Sequence, residues 1–168
     1  MKLDVPYYSQ FVDIDDPFWM LRACGGVALK EVAQFYGKDT TDLVSLCNEA
    51  KDRGGYHMEN GWVHDYLIIK AKELGLEAYR KEGLTSLDEI VSFLKEGKPV
   101  IVSVEKRVLE QKRFHLLVLV GYEEQDGTVT MVYYHESEAT SKEKGKYRSC
   151  DTATLLDYWR GKALFISN

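Results

Sequence analysis

The sequence predicts an α+β fold in which an N-terminal helical half packs on a C-terminal antiparallel sheet. In the first half of the 168 residues, apolar side chains recur at three- and four-residue steps, the period of one buried helix face. The second half carries short apolar runs separated by turn residues, which is typical of strands. Helices followed by antiparallel strands are the order expected of an α+β domain. Because 45% of the residues are apolar, we expect a single domain over residues 1–168 with one sizeable core.

The most informative predicted helix begins at Cys24. Its buried face is marked by apolar residues at helical spacing: Ala28, Leu29, Val32, Ala33 and Tyr36. Gly37 follows, where a C-terminal cap belongs. At the N-terminus of a helix, the dipole and the free backbone N–H groups stabilise a thiolate, the reactive form of cysteine. Cys24 is therefore a candidate nucleophile, and a small buried core residue is the alternative.

Cap residues and periodicity predict three more helices in the first half. Their expected ranges are about Thr41 to Lys51, Trp62 to Leu74, and Ser86 to Gly97. The candidate N-terminal caps are Thr40 or Thr41, Asn60, and Ser86 in a capping-box pattern.

The second half is mainly strand, with one short helix. The predicted strands are Val100 to Glu105, Phe114 to Glu123, Thr128 to Tyr134 and Leu164 to Ser167, with Leu76 to Tyr79 as an added edge strand. The helix is expected near Thr154 to Trp159. Residues 137–149 are the longest polar stretch and are expected to form a surface loop.

The strand that contains His115 is predicted to form a hairpin with the next strand. If Asp126-Gly127 is a two-residue turn, residues pair when their numbers sum to 253. His115 then faces Glu138 and is a diagonal neighbour of Glu136 on the same face. A three-residue loop would change the parity and bring His135 to that face instead. We favour Glu136, because a carboxylate can accept the imidazole N–H and hold one tautomer; a hydrogen-bonded core histidine is the alternative for His115.

Five segments in this order resemble the successive motifs of single-domain cysteine peptidase-like proteins. They are Val5-Pro6-Tyr7-Tyr8-Ser9-Gln10, Cys24-Gly25, Gly61-Trp62-Val63-His64, Gly97-Lys98-Pro99-Val100-Ile101-Val102, and His115 with Gly121-Tyr122. The family is similar to the bacteriocin-processing, double-glycine leader peptidases and shares the papain-like fold. The resemblance runs from about Val5 to about Glu138, and it implies a papain-like domain here.

The resemblance also implies roles for particular residues. Cys24 takes the position of the nucleophile, His115 that of the general base, and Gln10 that of a glutamine that helps to build the oxyanion hole. Glu136 stands where the family usually has the aspartate that orients the histidine, and Ser137 where a proline follows it.

One further departure and two further candidates complete the comparison of motifs. Gly25-Gly26 follows the cysteine, where Gly-Pro is more usual. The third motif makes Trp62 and His64 candidates for lining the substrate cleft; aromatic packing and an exposed helical histidine are the alternative. An acidic loop with Asp13, Asp15 and Asp16 lies between Gln10 and Cys24 and could favour a basic substrate group.

These residues predict a thiol-dependent hydrolase that cleaves a peptide or other amide bond through a Cys-His-Glu triad. Two alternatives stay open. A catalytically inactive homologue could use the same cleft to bind a peptide-like ligand, and an acyl transferase could use the same triad to pass the acyl group to an amine. The substrate, which is a peptide or a small amide or ester, is not specified further by the sequence.

Composition excludes several other classes. The net charge of −5, with both signs interspersed, argues against nucleic acid as a partner. No apolar run approaches the roughly 18 residues of a membrane span, and the N-terminus lacks the apolar stretch of a secretory signal, so we expect a cytoplasmic protein without a membrane partner. Three cysteines form no paired framework, and His57 and His64 lack a completing ligand set, so no metal or other cofactor is expected. The oligomeric state is left open.

Overall fold

The computed structural model describes residues 1–38, 40–108 and 111–168. The helices of this part of the chain are α1 (Cys24–Phe35), α2 (Leu43–Asp52), α3 (His64–Glu73), α4 (Asp88–Lys95), α5 (Lys142–Gly145) and α6 (Thr152–Tyr158), with a 3₁₀ turn at Trp19–Leu21. The strands are β1 (Tyr56–His57), β2 (Gly61–Trp62), β3 (Glu77–Lys81), β4 (Val100–Val108), β5 (Gln111–Gln125), β6 (Thr128–His135), β7 (Arg148–Asp151) and β8 (Trp159–Ser167).

Six of these strands form one antiparallel sheet in the order β3-β8-β4-β5-β6-β7. Helices cover both of its faces. Leu116 and Val118 of β5 pack with α1 and α3, whereas Leu117 and Leu119 pack with α4 and α6. Since both faces are covered there, the middle of β5, from Leu116 to Val120, is a continuous apolar run rather than an alternating one. The predicted α+β fold, with an N-terminal helical half on an antiparallel sheet, is confirmed.

Several predicted boundaries differ from those of the structure. Helix α2 is capped by Asp42, whose carboxylate accepts the Ser45 N–H at 3.0 Å, rather than by Thr40 or Thr41. Helix α3 begins at His64 instead of Trp62, because Trp62 pairs with Tyr56 in the β1–β2 hairpin. The starts of these helices differ from the prediction because capping residues are a local signal, whereas the strand pairing of Trp62 is set by the β1–β2 hairpin.

The polar stretch 137–149 is more ordered than a surface loop. It contains α5, and its last residues open β7, which adds a sixth strand by pairing with β6. The low apolar content of β7 is consistent with its place at the edge of the sheet. The other edge is β3, the strand predicted near Leu76 to Tyr79.

The β5–β6 hairpin has the two-residue turn that the sequence predicts. Asp126 and Gly127 have φ angles of 49° and 79°, the left-handed pair of a type I′ turn. Next to the turn Gln125 pairs with Thr128, and at the far end Val118 pairs with His135. Two irregularities between these points shift the register by one residue and back again. The register at the His115 end is therefore the one set by the turn.

Candidate active site

Cys24 is the first residue of α1 and is half-buried on the wall of a cleft of about 680 Å³. No side chain caps this helix, since Ala23 precedes Cys24 and offers no hydrogen-bonding group. The first turn of the helix therefore has backbone N–H groups that no capping side chain satisfies. The placement predicted from the apolar spacing is the one observed.

His115 lies on β5 and is 2% exposed. Its Nε2 is 2.7 Å from Oε1 of Glu136. Its Nδ1 makes no hydrogen bond to the residues that the structure describes and lies 3.4 Å from Oε1 of Glu138. Burial lowers the pKa of His115, but its interactions with Cys24 and Glu136 outweigh burial and raise the pKa to about 9. The imidazole is therefore stabilised in its protonated form beside a thiol and a carboxylate.

The carboxylate of Glu136 is buried and has a partner on each oxygen. Besides His115, Oε1 accepts the backbone N–H of Glu138 at 2.9 Å, and Oε2 lies 3.1 Å from Nζ of Lys106. Burial raises the pKa of Glu136, but the hydrogen bond and charge of His115 and the charge of Lys106 bring it down to about 2. Glu136 is thus held as a carboxylate against the imidazole. Lys106 was not identified as a site residue from the sequence.

His135 occupies a separate buried environment. Its Nδ1 is 3.7 Å from Oε2 of Glu31 on α1, and its ring lies edge-on to Tyr7 and Tyr147, with centroids 5.3 and 5.1 Å away. Burial raises the pKa of Glu31, whereas the interaction with His135 lowers it. His135 is therefore a partner of Glu31, and the carboxylate beside His115 belongs to Glu136.

Gln10 is fully buried and its side-chain amide has one defined orientation. Ser137 donates its hydroxyl to Oε1 of Gln10 at 2.5 Å, and Nε2 of Gln10 donates to the Met20 carbonyl at 3.1 Å. The Gln10 N–H also donates to the Ser137 carbonyl at 2.7 Å. Ser137 thus ties the glutamine to the segment that carries Glu136. The sequence analysis did not predict that Ser137 holds Gln10. The only sequence signal was that a serine stands where the family usually has a proline.

Trp62 forms a wall of the cleft and holds the start of α1. Its indole N–H donates to the Arg22 carbonyl at 2.7 Å, two residues before the cysteine. The ring lies against the first turn so closely that a Cβ on Gly25 would overlap it. A Cβ on Gly26 would lie 2.6 Å from Sγ of Cys47. The Gly25-Gly26 pair is therefore required by the packing of Trp62 and Cys47.

His64, the first residue of α3, lines the same cleft and is half-buried rather than exposed. Burial lowers the pKa of His64 to about 4, together with the charges of Lys162, Arg160 and Arg80. The neutral ring is thus the favoured form near neutral pH.

The acidic loop does not contribute to the described lining of the cleft. Asp13 accepts the Ser9 N–H at 2.8 Å, and Asp16 accepts the Phe18 N–H at 2.9 Å. The expectation that these carboxylates attract a basic substrate group is not supported by their position.

Comparison with known proteins identifies the family. A model of the Peptidase C39 like family matches residues 2–162. The chain belongs to this family. No curated protein matches the sequence. No helix of the described residues is long and apolar enough to cross a membrane.

Solved structures of C39-type peptidase domains have the same fold. A double-glycine motif protease from an AMS/PCAT transporter, solved with a leader peptide, has a TM-score of 0.66 and 18% identity, covering 99% of this chain and 93% of that one. The peptidase domain of Streptococcus ComA, a bifunctional ABC transporter involved in quorum sensing, gives 0.63 and 19%, covering 88% and 92%. The peptidase C39 like domain of a Vibrio parahaemolyticus toxin secretion ATP-binding protein gives 0.56 and 18%, covering 88% and 97%. The papain-like fold predicted from the motifs is confirmed.

The environment of Glu136 predicts a specific loss of stability in acid. Because the pKa of Glu136 falls from 4.5 to about 2 on folding, its contribution is present above pH 4.5 and is lost as the pH falls towards 2. We expect the difference in unfolding free energy between the wild type and Glu136→Gln to shrink by about 3 kcal/mol across that window. Urea unfolding at pH 2–6 measures it. Glu143→Gln, which alters an exposed carboxylate on α5, is the control and should show no such trend.

Proposed function

We propose that the protein is a thiol-dependent peptide hydrolase that uses Cys24 as nucleophile, His115 as general base and acid, and Glu136 as the group that orients His115. The observation that carries this proposal is the contact of 2.7 Å between Nε2 of His115 and Glu136, with Cys24 at the start of α1 lining the same cleft as His115. A cysteine at a helix start, a histidine and an orienting carboxylate are the groups that nucleophilic acyl transfer requires.

The reaction proceeds in two stages. His115 takes the thiol proton of Cys24, and the thiolate attacks the carbonyl carbon of the scissile bond. As the C–N bond breaks, the imidazolium gives its proton to the leaving amine, which leaves an acyl-thioester on Cys24. A water molecule then attacks the thioester, with His115 accepting its proton and returning one to the thiolate. Glu136 keeps its negative charge throughout and stabilises the imidazolium.

The negative charge that develops on the carbonyl oxygen needs donors that are already in place. We assign this role to the backbone N–H of Cys24 and to the Gln10 amide, one N–H of which is engaged by Met20. The hydroxyl of Ser137 supports the assignment, because it donates to Oε1 of Gln10 and thereby fixes which end of the amide carries the N–H donors. Losing one such donor typically costs about 3–4 kcal/mol in the barrier.

A peptide is the substrate class that the cleft supports best. The protease from the AMS/PCAT transporter was solved with a leader peptide, and this chain has the same fold. The rim here also carries the exposed apolar side chains of Leu21, Met58 and Phe114, beside Trp62 and His64. Acyl transfer to an amine would use the same residues and differs only in what attacks the thioester. The cytoplasmic location and the single domain over residues 1–168 stay predictions.

Cys24→Ala tests the nucleophile. We expect at least a thousandfold loss of peptide cleavage, because the covalent route disappears, with an unfolding free energy close to that of the wild type. Cleavage of a peptide library, followed by mass spectrometry, measures the activity, and urea unfolding measures the fold. Cys150→Ala is the matched control and should cleave normally, since Cys150 lies on β7. Wild-type turnover by Cys24→Ala would disprove the assignment.

His115→Ala tests the thiolate–imidazolium pair. At pH 7, iodoacetamide should alkylate Cys24 at least tenfold more slowly in His115→Ala than in the wild type, because the imidazole no longer holds the thiol as a thiolate. Cys47 and Cys150 are internal references, because burial raises the pKa of each thiol. Peptide-resolved mass spectrometry separates the three sites. Equal alkylation rates of Cys24 in the two proteins would leave His115 as a core histidine and favour the inactive, ligand-binding homologue.

Glu136→Gln tests the orienting acid against its neighbour. We expect turnover to fall by a factor of 10 or more, because an amide can present the wrong group to the imidazole and select the wrong tautomer. His135→Gln should lower the unfolding free energy through the loss of the Glu31 contact, with turnover per folded molecule unchanged. The reverse pattern would assign the orienting role to His135.

A further inference from the structure

Five cationic side chains line the cleft that contains Cys24 and His115: Arg22, Arg80, Arg113, Arg160 and Lys162. Two of them are neutralised locally, since Arg80 pairs with Asp65 and Arg113 pairs with Glu138. Arg22, Arg160 and Lys162, all half-buried, form no ion pair with the residues that the structure describes. Arg22 instead donates to the Phe18 carbonyl and stacks on the Phe18 ring. A partly desolvated cation is stabilised by a counterion, so Arg160 and Lys162 are suited to bind an anionic group.

Arg160 is held in a fixed position in the cleft. Its Nη1 donates to Oγ of Ser103 at 2.9 Å, and its guanidinium carbon lies 3.4 Å from the ring centroid of Phe114. Burial lowers the pKa of Arg160, and the charge of Glu105, which is beyond ion-pair distance, offsets this only in part. A stacked guanidinium keeps its other N–H donors in a rigid plane that matches a carboxylate.

A bulge in β8 brings Arg160 and Lys162 to the same place. Ser103 of β4 pairs with Lys162, but the next residue, Val104, pairs with Trp159, so that two residues of β8 are left out of the ladder. Gly161 makes the bulge possible with a φ of 68°. Bulges next to functional sites commonly re-aim a side chain. Here the bulge allows the Arg160 guanidinium to reach Ser103, the residue that pairs with Lys162.

The charges of Arg160 and Lys162 also act on His64, which lines the same cleft. Lys162 and Arg160 are, after burial, the largest causes that lower the pKa of His64. Among the carboxylates on the cleft, Glu138 pairs with Arg113, whereas Asp65 and Glu82 share Arg80. The charge of Asp65 offsets the lowering of the His64 pKa only in part. One more acidic residue, Glu59, also lines the cleft.

We propose that Arg160 and Lys162 bind a carboxylate of the substrate, so that the preferred peptides carry an aspartate, a glutamate or a free C-terminus close to the bond that is cut. This inference rests on the proposed function for its substrate class. The apolar rim contacts the rest of the peptide, and the two cations add a charge requirement that neutral peptides do not meet.

The first experiment needs no turnover and compares two alkylating reagents at one pH and low salt. The quantity measured is the rate at which anionic iodoacetate alkylates Cys24 divided by the rate for neutral iodoacetamide. This ratio should fall about tenfold from the wild type to the Arg160→Gln/Lys162→Gln double variant. Arg148→Gln/Lys95→Gln removes the same charge from exposed positions outside the cleft lining and should keep the wild-type ratio. Equal ratios in the wild type and the cleft variant would overturn the proposal.

The second experiment reads the preference from cleavage. A tryptic peptide library should be cut with Asp or Glu enriched at one fixed distance from the scissile bond, and the cleft variant should lose this enrichment at least tenfold. Amidated copies of the cut peptides separate an acidic side chain from a C-terminal carboxylate as the source. Cleavage with neither acidic enrichment nor a fixed distance from the C-terminus would overturn the inference, and so would a preference of either kind that is unchanged in the variant. A protein that cuts nothing but keeps the reagent ratio would refute the hydrolase and retain the carboxylate site.

Discussion

The pairing register between β5 and β6 is the constraint on which the candidate site depends. A slip of one residue would exchange the faces of the strand and bring the imidazole of His135, rather than the carboxylate of Glu136, towards His115. The Asp126-Gly127 turn prevents this slip, and the two irregularities along the hairpin cancel each other. The result is a buried carboxylate with a partner on each oxygen, so that its charge is stabilised in the interior and acts on the imidazole.

The second constraint is the close packing at the start of α1. Trp62 can lie against the first turn of this helix only because Gly25 has no side chain, and its indole N–H then secures the Arg22 carbonyl. The same ring forms part of the cleft wall. Cys24 is therefore positioned by its neighbours on both sides rather than by a capping side chain. This packing accounts for a Gly-Gly pair where the related peptidases more usually have Gly-Pro.

The sequence by itself determined those features that depend on local chemistry. The apolar period and Gly37 locate the helix that begins at Cys24, and the turn residues set the hairpin register from which the proximity of Glu136 to His115 was derived. These signals are reliable because a helix face and a left-handed turn each depend on a few adjacent residues. The order of the motifs then indicated a papain-like domain, although no single motif is specific.

Only the tertiary structure decided the features that join distant parts of the chain. The hydroxyl of Ser137 meets the side chain of Gln10 across 127 positions of sequence, and Arg160 reaches Ser103 across 57. Strand β7, within a stretch expected to be a loop, is formed by pairing with β6 rather than by its own propensity. Such contacts depend on sheet order, bulges and the packing of helices on both faces, and the free energy that stabilises them comes from burial, which no local pattern records.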